Sequence, residues 1–220
     1  MVKLLCPLLI AGVACAQENP AQLINAANPA ARRAGTTVRI ALVGDSTQTL
    51  YAGYGRGFCA NFTLQVDCVD TAKGGASTRT FRDQGIWAMA LATKPDYMVI
   101  QFGHNDNYTK AHRPNEVTRE DYIANLKRFV TEARAENIKP ILVTPLTRRY
   151  YQDDGKIHSD LTDFSNAMRD VAKEMNVPLI ELQLQSIAYM DKFGSAYTDK
   201  LAMIKDVKNQ PEYDRTHLNW

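Results

Sequence analysis

The chain has little of what would mark it as a nucleic-acid-binding, membrane or repeat protein. Its 220 residues carry a net charge of only +2. Nucleic-acid-binding domains usually show a clustered basic face, so this charge does not favour nucleic acid as a partner. No apolar run approaches the ~20 residues that a membrane-spanning helix needs. Without an internal repeat or a low-complexity tract, this length is typical of one globular domain.

The first sixteen residues have the pattern of a secretory signal peptide. Lys3 gives a positive start, Leu4 to Val13 form an apolar core, and small residues precede a cleavage point after Ala16. We therefore expect a secreted or periplasmic protein that has no membrane association after cleavage. Cys15 leaves a lipoprotein alternative open, in which its thiol carries the lipid.

Cysteine is scarce in the mature chain, which would keep only Cys59 and Cys68 of the four. An oxidising compartment favours a disulfide between them. Such a short loop would stabilise the fold by about 2–3 kcal/mol in the chain-entropy model. Two buried free thiols are the alternative.

From residue 38 onwards, apolar strands alternate with helical patterns. Strands that are apolar on both faces imply a parallel sheet covered by helices on either side, so we expect an α/β fold: a three-layer α/β/α sandwich with five parallel strands. The predicted strands are Val38–Val43, Leu64–Val69, Tyr97–Phe102, Pro140–Thr144 and Val177–Glu181. The predicted helices are a stretch through Tyr51, Tyr54 and Phe58, then Gly85–Ala92, a long helix capped by Thr118, Ser159–Met175 and most of Leu182–Lys205. The segment Gln17 to Thr36 is expected to be loose.

Three loops that follow strands carry polar or glycine residues suited to a site. They hold Ser46, the Gly74-Gly75 turn, and Gly103-His104-Asn105-Asp106. In parallel sheets, ligands bind beyond the carboxyl ends of the strands. We therefore expect these three loops to converge at one edge of the sheet.

The chain also contains each side chain that acyl transfer needs. Ser46 is the candidate nucleophile, His217 the base and Asp214 the acid that orients it. Alone, Ser46 could be a helix N-cap and Asp214-x-x-His217 a solvated loop, but their joint occurrence favours catalysis. The candidate oxyanion hole comprises the Ser46 amide, the Gly75 amide and the Asn105 side chain. Plain turn roles are the alternative for the last two.

Four sequence blocks make the chain similar to the SGNH (GDSL) hydrolases, and within them to the rhamnogalacturonan acetylesterases. The blocks are Gly44-Asp45-Ser46-Thr47, Lys73 to Phe81, Gln101 to Asp106, and Asp214 to Asn219; the basic segment Thr144 to Tyr150 is also similar. The resemblance implies a flavodoxin-like SGNH hydrolase fold. It also implies a serine esterase without metal or cofactor that removes acetyl groups from galacturonate in pectin.

An acetylated polyuronate would favour cations near the cleft, because arginine can bind a carboxylate through two parallel hydrogen bonds. We expect His104, Arg79 and Arg148 to contact the substrate, with solvated surface arginines as the alternative. Arg82, which follows the glycine turn, and Arg149, which follows the fourth predicted strand, are further cations of the same kind. His104-x-Asp106 could hold a metal, but no third ligand lies at a recognised spacing, so no metal is expected.

The resemblance further implies a helix after the catalytic histidine, whereas this sequence ends at Trp220. We assign residues 37–220 to one hydrolase domain, expect a monomer, and expect a fold less stable than that of its relatives. Two alternatives to a carbohydrate acetylesterase stay open. One is an esterase, lipase or thioesterase that acts on a non-carbohydrate acyl ester; the other is a truncated, inactive carbohydrate-binding remnant.

Overall fold

The computed structural model describes residues 21–23, 28–107, 117–207 and 210–219, with the backbone alone at 21–23, 205–207 and 210–211. The strands are β1 (Ala21–Leu23), β2 (Val38–Gly44), β3 (Val66–Asp70), β4 (Tyr97–Gln101), β5 (Lys139–Val143), β6 (Leu179–Ile180), β7 (Ala202–Val207) and β8 (Gln210–Leu218). The helices are α1 (Gly55–Ala60), α2 (Thr78–Asp83), α3 (Ile86–Ala92), α4 (Arg119–Ala135), α5 (Thr162–Glu174), α6 (Leu182–Phe193) and α7 (Ser195–Thr198).

The centre of the fold is a parallel sheet of order β1-β3-β2-β4-β5-β6, which contains all five predicted strands. The sheet has one more strand than predicted, because β1 lies within the segment expected to be loose and pairs with β3. Three residues are too few to show the periodicity of a strand, so only pairing reveals β1. The sheet thus reaches further towards the N-terminus than residue 37.

Side chains of β2 alternate between two apolar cores, one on each face of the sheet. Ala41 and Val43 pack with residues of α3, α4 and α5, whereas Ile40 and Leu42 pack with residues near α1 and α6. This division confirms the three-layer α/β/α arrangement. The long helix α4 begins as predicted, with the Thr118 hydroxyl accepting a hydrogen bond from the Asp121 amide at 3.0 Å.

Helix α2 and the β7–β8 hairpin also differ from the prediction. Helix α2 was not expected; it begins with a capping box between Ser77 and Thr80. Most of Leu182–Lys205 is helical, as predicted, but the helical part ends at residue 201, because Ala202–Val207 is strand β7, paired antiparallel with β8. Strand formation depends on the partner strand as much as on local preference, and β8 lies beyond the pattern that suggested a helix.

A disulfide joins Cys59 of α1 to Cys68 of β3, as expected from the sequence. Both residues are fully buried in the core on the α1 side of the sheet. No helix in the described segments is long and apolar enough to cross a membrane. The predicted signal peptide, residues 1–16, lies outside the described residues.

Candidate active site

Ser46 begins a short 3-10 turn immediately beyond the carboxyl end of β2. Asp45 caps this turn by accepting a hydrogen bond from the Thr47 amide at 2.9 Å. The strand must end on a glycine here, because a Cβ on Gly44 would lie 2.4 Å from the carbonyl oxygen of Gln101. The turn therefore places Ser46 at the edge of the sheet where the sequence predicted a site.

Ser46, His217 and Asp214 form a continuous chain of hydrogen bonds. The Nε2 atom of His217 lies 2.7 Å from the Ser46 Oγ, and its Nδ1 lies 2.9 Å from Oδ2 of Asp214. The Asp214 side chain is 5% exposed and that of His217 28%. Folding thus brings together residues 171 positions apart in the arrangement predicted for a nucleophile, a base and an orienting acid.

The Asp-x-x-His spacing also fixes the orienting acid locally. The other carboxylate oxygen of Asp214, Oδ1, accepts hydrogen bonds from the backbone amides of Thr216 at 2.7 Å and His217 at 2.9 Å. With Oδ1 engaged by its own turn, Oδ2 is directed at the imidazole. Hydrogen bonds of this kind favour an ionised carboxylate.

A bulge in the terminal hairpin presents these two residues to Ser46. Strand β8 pairs Tyr213 with Ile204 and Leu218 with Ala202, so residues 214–217 lie opposite a single residue of β7. Bulges of this kind leave the ladder and re-aim side chains, and they are frequent beside active sites. The bulge follows from strand pairing that the sequence reasoning did not predict.

The candidate oxyanion donors lie next to Ser46. Asn105 lines the same cleft as Ser46, and its Nδ2 donates a hydrogen bond to the Ala76 carbonyl at 3.0 Å. Gly75 adopts a φ of 77°, in the left-handed region that favours glycine. A Cβ added to the adjacent Gly74 would lie 3.9 Å from the Ser46 Cβ, which places this turn beside the serine.

A cleft of about 300 Å³ surrounds the Ser46 hydroxyl. Its lining is mostly polar and consists of Ser46, His104, Asn105, Arg148, Tyr150, Asp160, Thr216 and His217. Asp160 and Thr216 were not predicted, because one lies in a stretch predicted to be helical and the other between two catalytic candidates. Only the fold brings them to the cleft.

The predicted substrate contacts divide into two groups. His104 and Arg148 line the cleft, where Arg148 pairs with Asp160 and donates to the His104 carbonyl at 3.0 Å. Arg79 is exposed on α2 and does not belong to the described lining. Of the two further cations, Arg82 pairs with Glu132 at 2.7 Å, and Arg149 is buried.

Behind Ser46 lies a buried polar network that holds its turn. The Asp45 carboxylate contacts the Thr47 hydroxyl at 2.7 Å, the Gln101 amide at 3.2 Å and Nδ1 of His104 at 3.4 Å. Burial by itself would raise the pKa of Asp45, but the His104 side chain and the hydrogen bonds from His104 and Thr47 lower that pKa below its usual value. Asp45 is therefore a carboxylate anchor for the nucleophile turn.

Asp106 links the Asn105 loop to the start of α2. Its Oδ1 accepts hydrogen bonds from the Thr78 amide at 2.8 Å and the Thr78 hydroxyl at 2.5 Å. Its Oδ2 is buried without a hydrogen-bond partner in the described part of the chain. Burial raises the pKa of Asp106 to about 7, although the hydrogen bonds from Thr78 oppose the shift. Across residues 28–107, 117–207 and 210–219, no group of three or more His, Cys, Asp and Glu side chains could hold a metal.

Comparisons with known proteins identify the family of this chain. The model of the GDSL-like lipase/acylhydrolase family matches residues 16–219. The rhamnogalacturonan acetylesterase RhgT of Bacillus subtilis is 31% identical over 196 residues, which cover 83% of each chain.

Solved structures share the fold at lower identity. The crystal structure of protein YxiM from Bacillus subtilis superposes with a TM-score of 0.69 at 24% identity; the match covers 84% of this chain and 52% of that one, so this chain spans about half of that protein. Axe2, an acetylxylan esterase from Geobacillus stearothermophilus, gives a TM-score of 0.56 at 20% identity, covering 70% of this chain and 80% of Axe2. The chain belongs to the GDSL-like lipase/acylhydrolase family.

Proposed function

We propose that this chain is an exported serine esterase that removes O-acetyl groups from a plant cell-wall polysaccharide, with rhamnogalacturonan as the substrate. The observation that carries the proposal is the hydrogen-bonded series from Ser46 through His217 to Asp214, with separations of 2.7 and 2.9 Å. Similarity to the rhamnogalacturonan acetylesterase RhgT supports the choice of substrate.

In the proposed reaction, Ser46 Oγ attacks the acetyl carbonyl while Nε2 of His217 accepts its proton. The Asp214 carboxylate holds Nδ1–H of the imidazole and stabilises the imidazolium that forms. His217 then gives the proton to the departing sugar oxygen, which leaves acetyl-Ser46. A water molecule, deprotonated by His217, attacks this ester and releases acetate and the original serine.

Negative charge on the attacked carbonyl oxygen needs hydrogen-bond donors in place before the reaction. We assign this role to the amides of Ser46 and Gly75 and to the side-chain amide of Asn105. One N–H of Asn105 is engaged by the Ala76 carbonyl, and a side-chain amide has two, so the second is available for the oxyanion. The bond to Ala76 keeps Asn105 oriented beside the glycine turn.

The polar lining of the cleft supports a carbohydrate ester over a lipid ester, since a long acyl chain would need a largely apolar tunnel. The intact contact between Ser46 and His217 supports an active enzyme over an inactive binding remnant. A simple assay separates these alternatives. Turnover of 4-nitrophenyl acetate that is abolished by Ser46→Ala supports the esterase, and its absence supports the remnant.

A neutral acetylated polysaccharide such as xylan is the second candidate substrate. It is favoured by one observation: Arg148, the arginine that lines the described cleft, already has Asp160 as its counter-ion. A uronate carboxylate would have to displace Asp160 or share the guanidinium with it. A neutral sugar would need no such rearrangement.

Acetate release from acetylated rhamnogalacturonan and from acetylated xylan decides between the two. The proposal expects a clear preference for rhamnogalacturonan, lost in Ser46→Ala for both substrates. Arg148→Gln should then raise the KM for rhamnogalacturonan, while turnover of 4-nitrophenyl acetate changes little. Equal rates on the two polysaccharides would remove the pectin assignment and leave the esterase.

A further inference from the structure

Arg149 is buried directly behind the segment that carries the proposed base. Its side chain is among the largest that are fully buried, and the residue is 1% exposed. Its Nη2 donates hydrogen bonds to the carbonyl oxygen of Asp214 and, at 2.6 Å, to that of His217. Its backbone amide donates to the Arg215 carbonyl at 2.8 Å. One residue therefore makes three hydrogen bonds to the backbone of the four residues 214–217.

These hydrogen bonds replace ones that the terminal hairpin does not make. Because residues 214–217 bulge out of the β7–β8 ladder, strand pairing leaves this segment out of register with β7. Buried backbone carbonyls need a donor, and here Arg149 supplies it. The loop after β5, which carries Arg149, thus links the bulge to the central sheet.

The burial of this guanidinium needs an explanation, because it is unfavourable for stability alone. Its Nε and Nη1 have no hydrogen-bond partner among the described residues. Burial lowers the pKa of Arg149, and the nearby Asp214 carboxylate opposes that shift. Groups that violate the usual rules for buried polar atoms are frequently found at functional sites.

The other attachments of the bulge do not reach the same carbonyls. Arg215 pairs with Asp199 on the partly exposed side of the segment, and the Leu218 amide donates to the Ala52 carbonyl at 3.1 Å just beyond it. Neither contact joins residue 214 to residue 217. Within the segment the Asp214 carboxylate does so, through the His217 amide at 2.9 Å and the imidazole at 2.9 Å, but it leaves the two carbonyl oxygens without a donor. Arg149 bridges both ends of the segment through a single nitrogen.

We infer that Arg149 is a positioning residue for the proposed esterase: it clamps the carbonyls of Asp214 and His217 so that the imidazole stays within reach of Ser46. This inference rests on the proposed function. It requires that removing the guanidinium changes turnover more than substrate binding, since Arg149 acts through the base and lies outside the described lining of the cleft.

The test compares Arg149→Met, Arg149→Lys and Arg149→Ala with the wild type on 4-nitrophenyl acetate, with active sites titrated by a fluorophosphonate. Arg149→Met should lower kcat by about 10²-fold, the loss typical of a misplaced catalytic group, with KM nearly unchanged. Arg149→Lys should retain more activity than Arg149→Met. Guanidinium at a non-denaturing concentration should restore part of the kcat of Arg149→Ala.

Arg134→Met is the matched control, since Arg134 also donates to a backbone carbonyl, that of Asn176, at 3.0 Å but on the exposed end of α4. It should keep the wild-type kcat.

A second readout does not depend on turnover: the low-field proton NMR signal of His217 Nδ1–H should be present in the wild type and absent in Arg149→Met. If Arg149→Met lowers only the melting temperature, and keeps both the signal and kcat per titrated site, the inference is wrong. If the wild type has no esterase activity but shows the NMR signal, and Arg149→Met lacks that signal, the proposed function is wrong. The inference that Arg149 positions His217 would then still hold.

Discussion

At the scale of single residues, the candidate site depends strongly on Asp214, although this residue does not contact the nucleophile directly. Its two carboxylate oxygens have separate roles. Oδ1 closes the turn by accepting hydrogen bonds from two backbone amides, and Oδ2 lies within hydrogen-bond distance of Nδ1 of His217. An asparagine could keep the first task but would present an amide to the imidazole. That would favour the tautomer with its proton on Nε2, which cannot accept the serine proton.

We therefore predict that Asp214→Asn lowers kcat on 4-nitrophenyl acetate by about 10³–10⁴-fold, in line with the loss for the equivalent change in a serine protease. Circular dichroism should report an unchanged fold, because the turn contacts survive. Asp199→Asn is the control, as Asp199 pairs with Arg215 but does not contact the imidazole. Wild-type turnover by Asp214→Asn would exclude Asp214 as the orienting acid.

At the scale of secondary-structure elements, Asp106 couples the loop after β4 to the beginning of α2. Because burial raises its pKa from 3.8 to about 7, the native protein binds this proton more tightly than the unfolded chain does. The contribution of Asp106 to stability is therefore complete below pH ~4 and is lost as the pH rises towards 7. Well above pH 7 both states are ionised and the contribution no longer changes.

Asp106→Asn should remove this component of the pH dependence, since the amide keeps the shape and an oxygen for Thr78 but does not titrate. We expect the free energy of unfolding of the wild type to fall relative to the variant between pH 4 and 7, by at most about 1.4 kcal/mol per pH unit. Urea denaturation at several pH values measures it. Parallel pH curves for the two proteins would show that Asp106 titrates normally.

The disulfide acts at the same scale, because it ties α1 to β3 across the core. Replacing both Cys59 and Cys68 by serine should lower the free energy of unfolding by about 2–3 kcal/mol in the chain-entropy model. Turnover per folded molecule should not change, since both sulfurs lie in the core on the α1 side. Urea denaturation of the double variant, beside reduced wild type, checks this; equal stability with and without the bond would contradict it.

At the scale of the whole molecule, the sequence predicted the parallel sheet well, because β2, β4 and β5 are apolar runs that are buried on both faces. It did not predict β1, α2 or the β7–β8 hairpin, whose formation depends on partners distant in the chain. The grouping of Ser46, His217 and Asp214 was predictable because a serine after a buried strand and an Asp-x-x-His pair occur together, although neither pattern is distinctive alone. The burial of Arg149 was not predictable, because two adjacent arginines usually lie at the surface. Only the bulge in the terminal hairpin explains why this one is buried.

The whole fold is needed to form one contact. It joins the residue that follows the first predicted strand to a residue of the β7–β8 hairpin. That contact is the 2.7 Å separation between Ser46 Oγ and His217 Nε2. Without the central sheet and the terminal bulge, neither side chain would have the other as a neighbour. The proposed chemistry is thus a property of the tertiary structure.

The most direct measurement is to treat the protein with a fluorophosphonate and map the adduct by peptide mass spectrometry. The account predicts one adduct, on Ser46, that forms in step with the loss of esterase activity and far more slowly in His217→Ala. An adduct on another residue, or labelling of Ser46 at the same rate without His217, would contradict the proposed activation of the serine.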